Sequence, residues 1–151
     1  MRLSKHFTLG ELTKSSTADR RGIENVPNES EIDSLRLVCE NVLEPVREHF
    51  KVPMTPSSGF RCLELNTAIG SSSTSQHVKG QAVDFEVQGI ANDYLAKWIM
   101  ENVDYDQVIL EFFKQEDPNS GWVHCSYVNE KENRKKALCY NGGKYEILEI
   151  A

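Results

Sequence analysis

The 151-residue chain has no long apolar run and little positive charge, and none of its cysteines are paired in sequence. Each absence removes a class of function. Without about 20 consecutive apolar residues, nothing is expected to span a membrane. The opening MRLSKHFTLGEL lacks an apolar stretch of roughly 7–15 residues, so no secretory signal peptide is expected. Lys and Arg number 17 against 23 Asp and Glu, a net charge of −6. This argues against nucleic acid or an anionic membrane as partner, because either needs a basic stripe to gather phosphates. The run Arg134-Lys135-Lys136 is too short for that and reads as a solvated face. Cys39, Cys62, Cys125 and Cys139 form no CxxC and no zinc-finger spacing. They read as reduced, buried small hydrophobes in a chain that folds in a reducing cytoplasm. There are no internal repeats and no linker. With 39% hydrophobic residues, residues 1–151 are expected to form a single domain around one core, most simply a monomer.

The patterning that is present divides into helices first and strands later. Thr8 and Glu11 have capping-box spacing, predicting a short helix over 9–14, followed by a polar loop from Ser15 to Pro27. Asn28 and Glu31 repeat the signal before the longest helix, 29–49. Its apolar residues Ile32, Leu35, Val38, Val42 and Val46 recur at helical spacing, and Pro45 is expected to kink it. Val52–Ser57 reads as an edge strand or extended loop because of Pro53 and Pro56. A helix over 61–69 ends at Gly70. Strands are expected at 82–87, 107–113 and 121–128, with a helix capped by Asn92 running to 102. A hairpin around Asn141-Gly142 closes the chain over 137–150. Helices followed by strands predict the α+β class, with an antiparallel sheet and the helices packed on one side.

Three of these apolar strands each carry one ionisable residue near the centre. Alternation puts Ala82, Asp84 and Glu86 on one face of the first. Gln107, Ile109, Glu111 and Phe113 share a face of the second, and Trp122, His124 and Ser126 a face of the third. If the strands are neighbours, Asp84, Glu111 and His124 converge, and His77 in the preceding Ser/Gly/Thr-rich loop can join them. Two imidazoles and a carboxylate are a complete protein ligand set for catalytic Zn2+. A cation would also compensate an aspartate placed within Ala-Val-Asp-Phe-Glu-Val, which is otherwise destabilising to bury. The residues taken singly also fit a hydrogen-bonded edge aspartate, a core histidine and a lysine-paired glutamate.

The motif Ser75-x-His77-x-x-Gly80-x-Ala82-x-Asp84 resembles the zinc motif of the D-Ala-D-Ala carboxypeptidase-like metallopeptidases. The resemblance extends upstream to Ser58-Gly59-Phe60-Arg61 and Leu65-Asn66. Downstream it takes in Gln107 to Glu111 and Trp122-Val123-His124. His6-Phe7-Thr8-Leu9 with Glu11-Leu12 is similar to the opening of the phage-associated, endolysin-type branch. About residues 5–130 are covered. The resemblance implies the fold of the D,D-peptidases and hedgehog-like domains, with the zinc site in a cleft on the sheet. It implies His77, Asp84 and His124 as zinc ligands and Glu111 as catalytic base. Arg61 would bind a substrate carbonyl or carboxylate. Ser75 would order the His77 loop and Ser126 would line the cleft. Some relatives carry the base three residues before the last histidine, where this chain has Gly121. Glu111 is therefore the candidate here, with Glu116 and Asp117 of the following turn as alternatives. The implied function is zinc-dependent hydrolysis of amide bonds in peptidoglycan stem peptides or crosslinks. A D-Ala-D-Ala carboxypeptidase and a zinc-binding, non-enzymatic module remain alternatives. The setting implied is a lysin held in the cytoplasm until release to the bacterial wall.

Overall fold

The computed structural model describes residues 1–149. Both predicted capping boxes form. Thr8 opens α1 (Leu9–Thr13), exchanging bonds with Glu11. Asn28 opens α3 (Glu29–Val38), where each of its two bonds with Glu31 is 2.8 Å. Between them, the segment expected as loop contains α2 (Ser16–Arg21), capped by Ser15 and ended by Gly22 at φ 67°. Only Ala18 of α2 is buried, so the helix has no apolar periodicity that would reveal it.

The helical run expected over 29–49 is interrupted just before Pro45. Cys39–Leu43 forms a π-helical turn between α3 and α4 (Glu44–Phe50), and the Glu44 N–H reaches back to Cys39 O. Proline lacks an N–H and crowds the carbonyl four residues earlier; the wider turn just upstream accommodates both. It also presents the Glu44 carboxylate to Ser4 Oγ at 2.6 Å and to His6 Nδ1 at 2.7 Å, pinning the amino-terminal segment.

Residues 52–57 form no strand. Ser57 and Ser58 only bridge to Asp84. α5 (Leu63–Ala68) is followed by Gly70 at φ 79°, and a 3-10 turn (Gln76–Lys79) precedes β1 (Ala82–Phe85). α6 (Asn92–Asn102) is capped by Ala91, not Asn92. The Asn92 amide is instead spent on Glu86 and the carbonyls of Ser120 and Gly121.

The strands β2 (Gln107–Glu111), β3 (Trp122–Ser126), β4 (Lys136–Tyr140) and β5 (Tyr145–Ile147) complete one sheet, in the order β1-β3-β2-β4-β5. The expected antiparallel sheet is corrected to a mixed one, because β4 runs parallel to β2. The chain leaves β3 at the end where β2 begins, passes that end, and adds β4 on the far side. Asp106, at the start of β2, anchors this passage. It is 1% exposed and accepts bonds from Arg134 N, Nε and Nη2 at 2.7–2.9 Å. The expected hairpin forms as β4–β5; Ile150, its predicted last residue, lies outside the described residues.

Alternation gives the sheet two unlike faces. Val83, Phe85, Val108, Leu110, Val123 and Cys125 join the helices in the core, with α6 against β2 and β3 and α3 against β1. Among the described residues the four cysteines form no disulfide. Burial pushes the Cys39 thiol up to about 12, aided by the Glu44 carboxylate, and raises that of Cys125 as well.

Candidate metal centre and cleft

The other face carries the polar residues, and the strand register aligns them. Asp84 lies opposite His124, and His124 opposite Ile109; Glu111 lies opposite Trp122 on one side and Tyr140 on the other. Adjacent strands sit about 4.8 Å apart, so each row spans the sheet in short steps. His77 is delivered from the 3-10 turn, whose first N–H bonds are organised by Ser75 Oγ, 3.3 Å from His77 N. Gly80 ends that turn at φ 72°, where a Cβ would meet Glu31 O at 2.6 Å, so the motif requires glycine there.

The three expected ligand residues converge. One donor atom each from His77, Asp84 and His124 lies within 4.8 Å of the other two. His124 Nδ1 is 2.9 Å and His77 Nε2 3.4 Å from the same Asp84 oxygen. His77 is 2% exposed, and its Nδ1 faces Gly59 O at 2.7 Å. A carbonyl only accepts, so Nδ1 carries the proton and Nε2 is left as a lone pair. Among the described residues that buried Nε2 has no hydrogen-bond partner. A lone pair aimed at a carboxylate oxygen is unfavourable until a cation lies between them, so the residues fit a divalent metal. Two imidazoles and one carboxylate suit Zn2+. Burial holds His77 below the usual histidine range, which keeps it neutral as a ligand must be, although the Asp84 carboxylate opposes the shift. Burial would raise Asp84, but the hydrogen bond from His124 opposes it, and the carboxyl lies below its usual range.

These residues line a cleft of about 950 Å3 together with Arg61, Glu111, Phe112, Trp122 and Tyr140. Burial, reinforced by the charge of Asp84, raises the Glu111 carboxyl, while His124, Trp122 and Arg61 moderate the rise. Trp122 Nε1 donates to Glu111 Oε2 at 2.6 Å, fixing one oxygen and leaving the other free. Arg61 follows the Ser58-Gly59-Phe60 bend, and its backbone N–H donates to His77 O at 3.1 Å. Its buried Nε has no partner among the described residues. Gly59 is required by that bend, since a Cβ would lie 2.4 Å from Leu12 O.

Ser126 departs from its expected place. It has no exposed surface; its Oγ accepts from Gln107 N at 3.0 Å and lies 3.5 Å from Asp106. It therefore secures β2 to β3 and does not line the cleft. Glu116 and Asp117 are exposed in the turn after β2 and lie outside the cleft lining. Two site features have no signal in the motif. Asp106 also accepts from Gln76 Nε2 at 2.9 Å, tying the loop that carries His77 to the end of β2. The carboxy-terminal hairpin contributes Leu138, Tyr140 and Tyr145 to the cleft.

Residues 5–126 match the family model of Peptidase M15. The chain belongs to the Peptidase M15 family. The match spans His77, Asp84 and His124 together with Arg61 and Glu111, whereas Arg134 and the β4–β5 hairpin lie beyond it. No curated protein matches the chain at a significant level. Membership in Peptidase M15 supports a zinc metallopeptidase acting on peptidoglycan-like substrates. Among the described residues no helix is long and apolar enough to cross a membrane.

Proposed function

We propose that this Peptidase M15 member is a zinc-dependent hydrolase of amide bonds in peptidoglycan stem peptides or crosslinks, working as a single, monomeric endolysin-type domain at the bacterial wall. The observation that carries the reading is the unpartnered, buried His77 Nε2 facing Asp84 and His124, with Glu111 lining the same cleft.

His77, Asp84 and His124 would hold the metal. A Zn2+ ion bound there would supply Lewis acidity, making water easier to deprotonate near neutral pH. Glu111 takes the proton of the attacking water on its free oxygen while Trp122 steadies the other. The raised pKa of its buried carboxyl suits it to return that proton to the leaving amine. Arg61, half-buried with its Nε unspent, donates to the carbonyl oxygen as negative charge develops there. Ser75 holds the turn that aims His77. Glu111 at this place favours an enzyme over a binding module, which would have no use for a buried carboxylate of raised pKa. The open cleft, continuing past Glu111 to Tyr145, favours cleavage within a chain over trimming of a terminal residue.

The test is Glu111→Gln with zinc content and muropeptide cleavage measured together. Stoichiometric zinc with turnover lowered about 10²–10⁴-fold is expected for loss of the base. Full turnover by the variant would remove Glu111 from that role, and mass spectrometry of the products identifies the bond cut.

A further inference from the structure

The β4–β5 hairpin and the end of β2 build an aromatic shelf beside Glu111. Strand alternation would send Phe112 to the face opposite Glu111. Instead Phe112 has φ 55°, a left-handed backbone that a bulky residue rarely adopts, and its ring comes round to the cleft side. There it lies 5.4 Å from the Trp122 ring and 5.7 Å from Tyr140, which in turn stacks on Tyr145 at 4.4 Å. The turn at Gly142 brackets the outer edge of Phe112. The strained backbone is held from three sides. Phe112 N donates to Tyr140 O at 2.8 Å, Lys114 N to Ser120 Oγ, and Gly121 presses so close that a Cβ would overlap Glu111 O. Strain that the surroundings enforce in this way concentrates at ligand clamps. Yet the result is not a packed core: Phe112 stays 42% exposed and Tyr145 56%.

We propose that Phe112, Tyr140 and Tyr145 form a subsite for a pyranose ring, the N-acetylated amino sugar to which a stem peptide is attached. The inference rests on the peptidoglycan reading above. A pyranose has flat C–H faces and a polar rim. The shelf offers flat, open aromatic faces bordered by two tyrosine hydroxyls and, in the same cleft, Glu111 and Arg134. An aliphatic peptide side chain would call for a closed pocket. Tyr140 is one strand from Glu111 and Tyr145 two, a reach of about 10 Å. An extended peptide covers about 3.5 Å per residue, so the sugar reaches the shelf only when the bond at Glu111 is within about three residues of it. The subsite thus selects the first bonds of the stem.

The test compares the zinc-loaded full chain on an N-acetylmuramyl stem peptide and on the same peptide without the sugar. A KM about tenfold lower for the sugar-bearing substrate is expected. Tyr145→Leu and Phe112→Leu should reduce that ratio below threefold, whereas Tyr145→Phe, which keeps the ring, should preserve it. Equal KM values for the two substrates in the unmodified protein would overturn the subsite while leaving the peptidase reading intact. So would a Tyr145→Leu variant that weakens both substrates alike. If neither substrate is turned over, the peptidase reading fails on its own. Calorimetric titration with the same two molecules then decides the subsite: tighter binding of the sugar-bearing one supports it, and equal affinity overturns it.

Discussion

Replacing Asp106 by Ala should destabilise the fold more than any exposed acidic substitution. Asp106 is almost fully buried and accepts from Gln76 Nε2, Arg134 N, Arg134 Nε and Arg134 Nη2. The Arg134 side chain is 48% exposed, so its guanidinium can return to water and its share of the pair is small. The Gln76 amide and the Arg134 backbone N–H lose a charged acceptor, at about 1.5–3 kcal/mol each. The total is roughly 3–6 kcal/mol, or a melting point lower by about 6–24 °C for a chain of this size. Acid titration provides an independent check. Burial opposes ionisation of Asp106, but its bonds from Arg134 and Gln76 win and lower the carboxyl from 3.8 to about 2. A depressed carboxyl stabilises the fold above its unfolded pKa, and the gain is lost as pH falls through the folded one. At about 1.4 kcal/mol per unit this is about 2 kcal/mol, present above pH 4 and lost towards pH 2. Urea unfolding of the unmodified chain and Asp106→Ala, at pH 7 and at pH 2.5, measures both quantities. Equal stability at pH 7, or a gap that does not narrow in acid, would refute the reasoning.

Zinc at 100 times its dissociation constant should stabilise the unmodified chain by about 2.7 kcal/mol and leave His77→Ala unmoved; an equal melting shift in the variant would place the metal elsewhere. Gly121→Ala should fail to accumulate as folded protein, since Gly121 has φ 64° and its Cβ would lie 1.8 Å from Glu111 O; a native circular dichroism spectrum would contradict that contact. Cys39 and Cys125 should resist thiol reagents at neutral pH in the native chain, leaving at most Cys62 and Cys139 to react, and all four should react in denaturant; early labelling of Cys125 would contradict its burial in the core.

The amino-acid order determined the local features. The Thr8 and Asn28 caps, the strand alternation and the His77–Asp84 spacing act over a few residues, so the pattern alone carries them. The roles of His77, Asp84 and His124 as ligands and of Glu111 as base came instead from the resemblance of that motif to the D-Ala-D-Ala carboxypeptidase-like metallopeptidases. Short helices with little buried surface, such as α2, left no pattern to read. Pro45 signalled a disturbance, but not the π turn of Cys39–Leu43 beside it, nor the contacts of Glu44 with Ser4 and His6, about 40 residues away. What remained was decided by contacts remote along the chain. Only the folded sheet shows β4 parallel to β2, with buried Asp106 binding Arg134 where the chain passes the end of the sheet. It likewise turns Phe112 into the cleft against strand alternation and leaves Ser126 beneath the surface. Long-range hydrogen bonds and steric exclusion set these outcomes, and neither is a property of any short stretch of sequence.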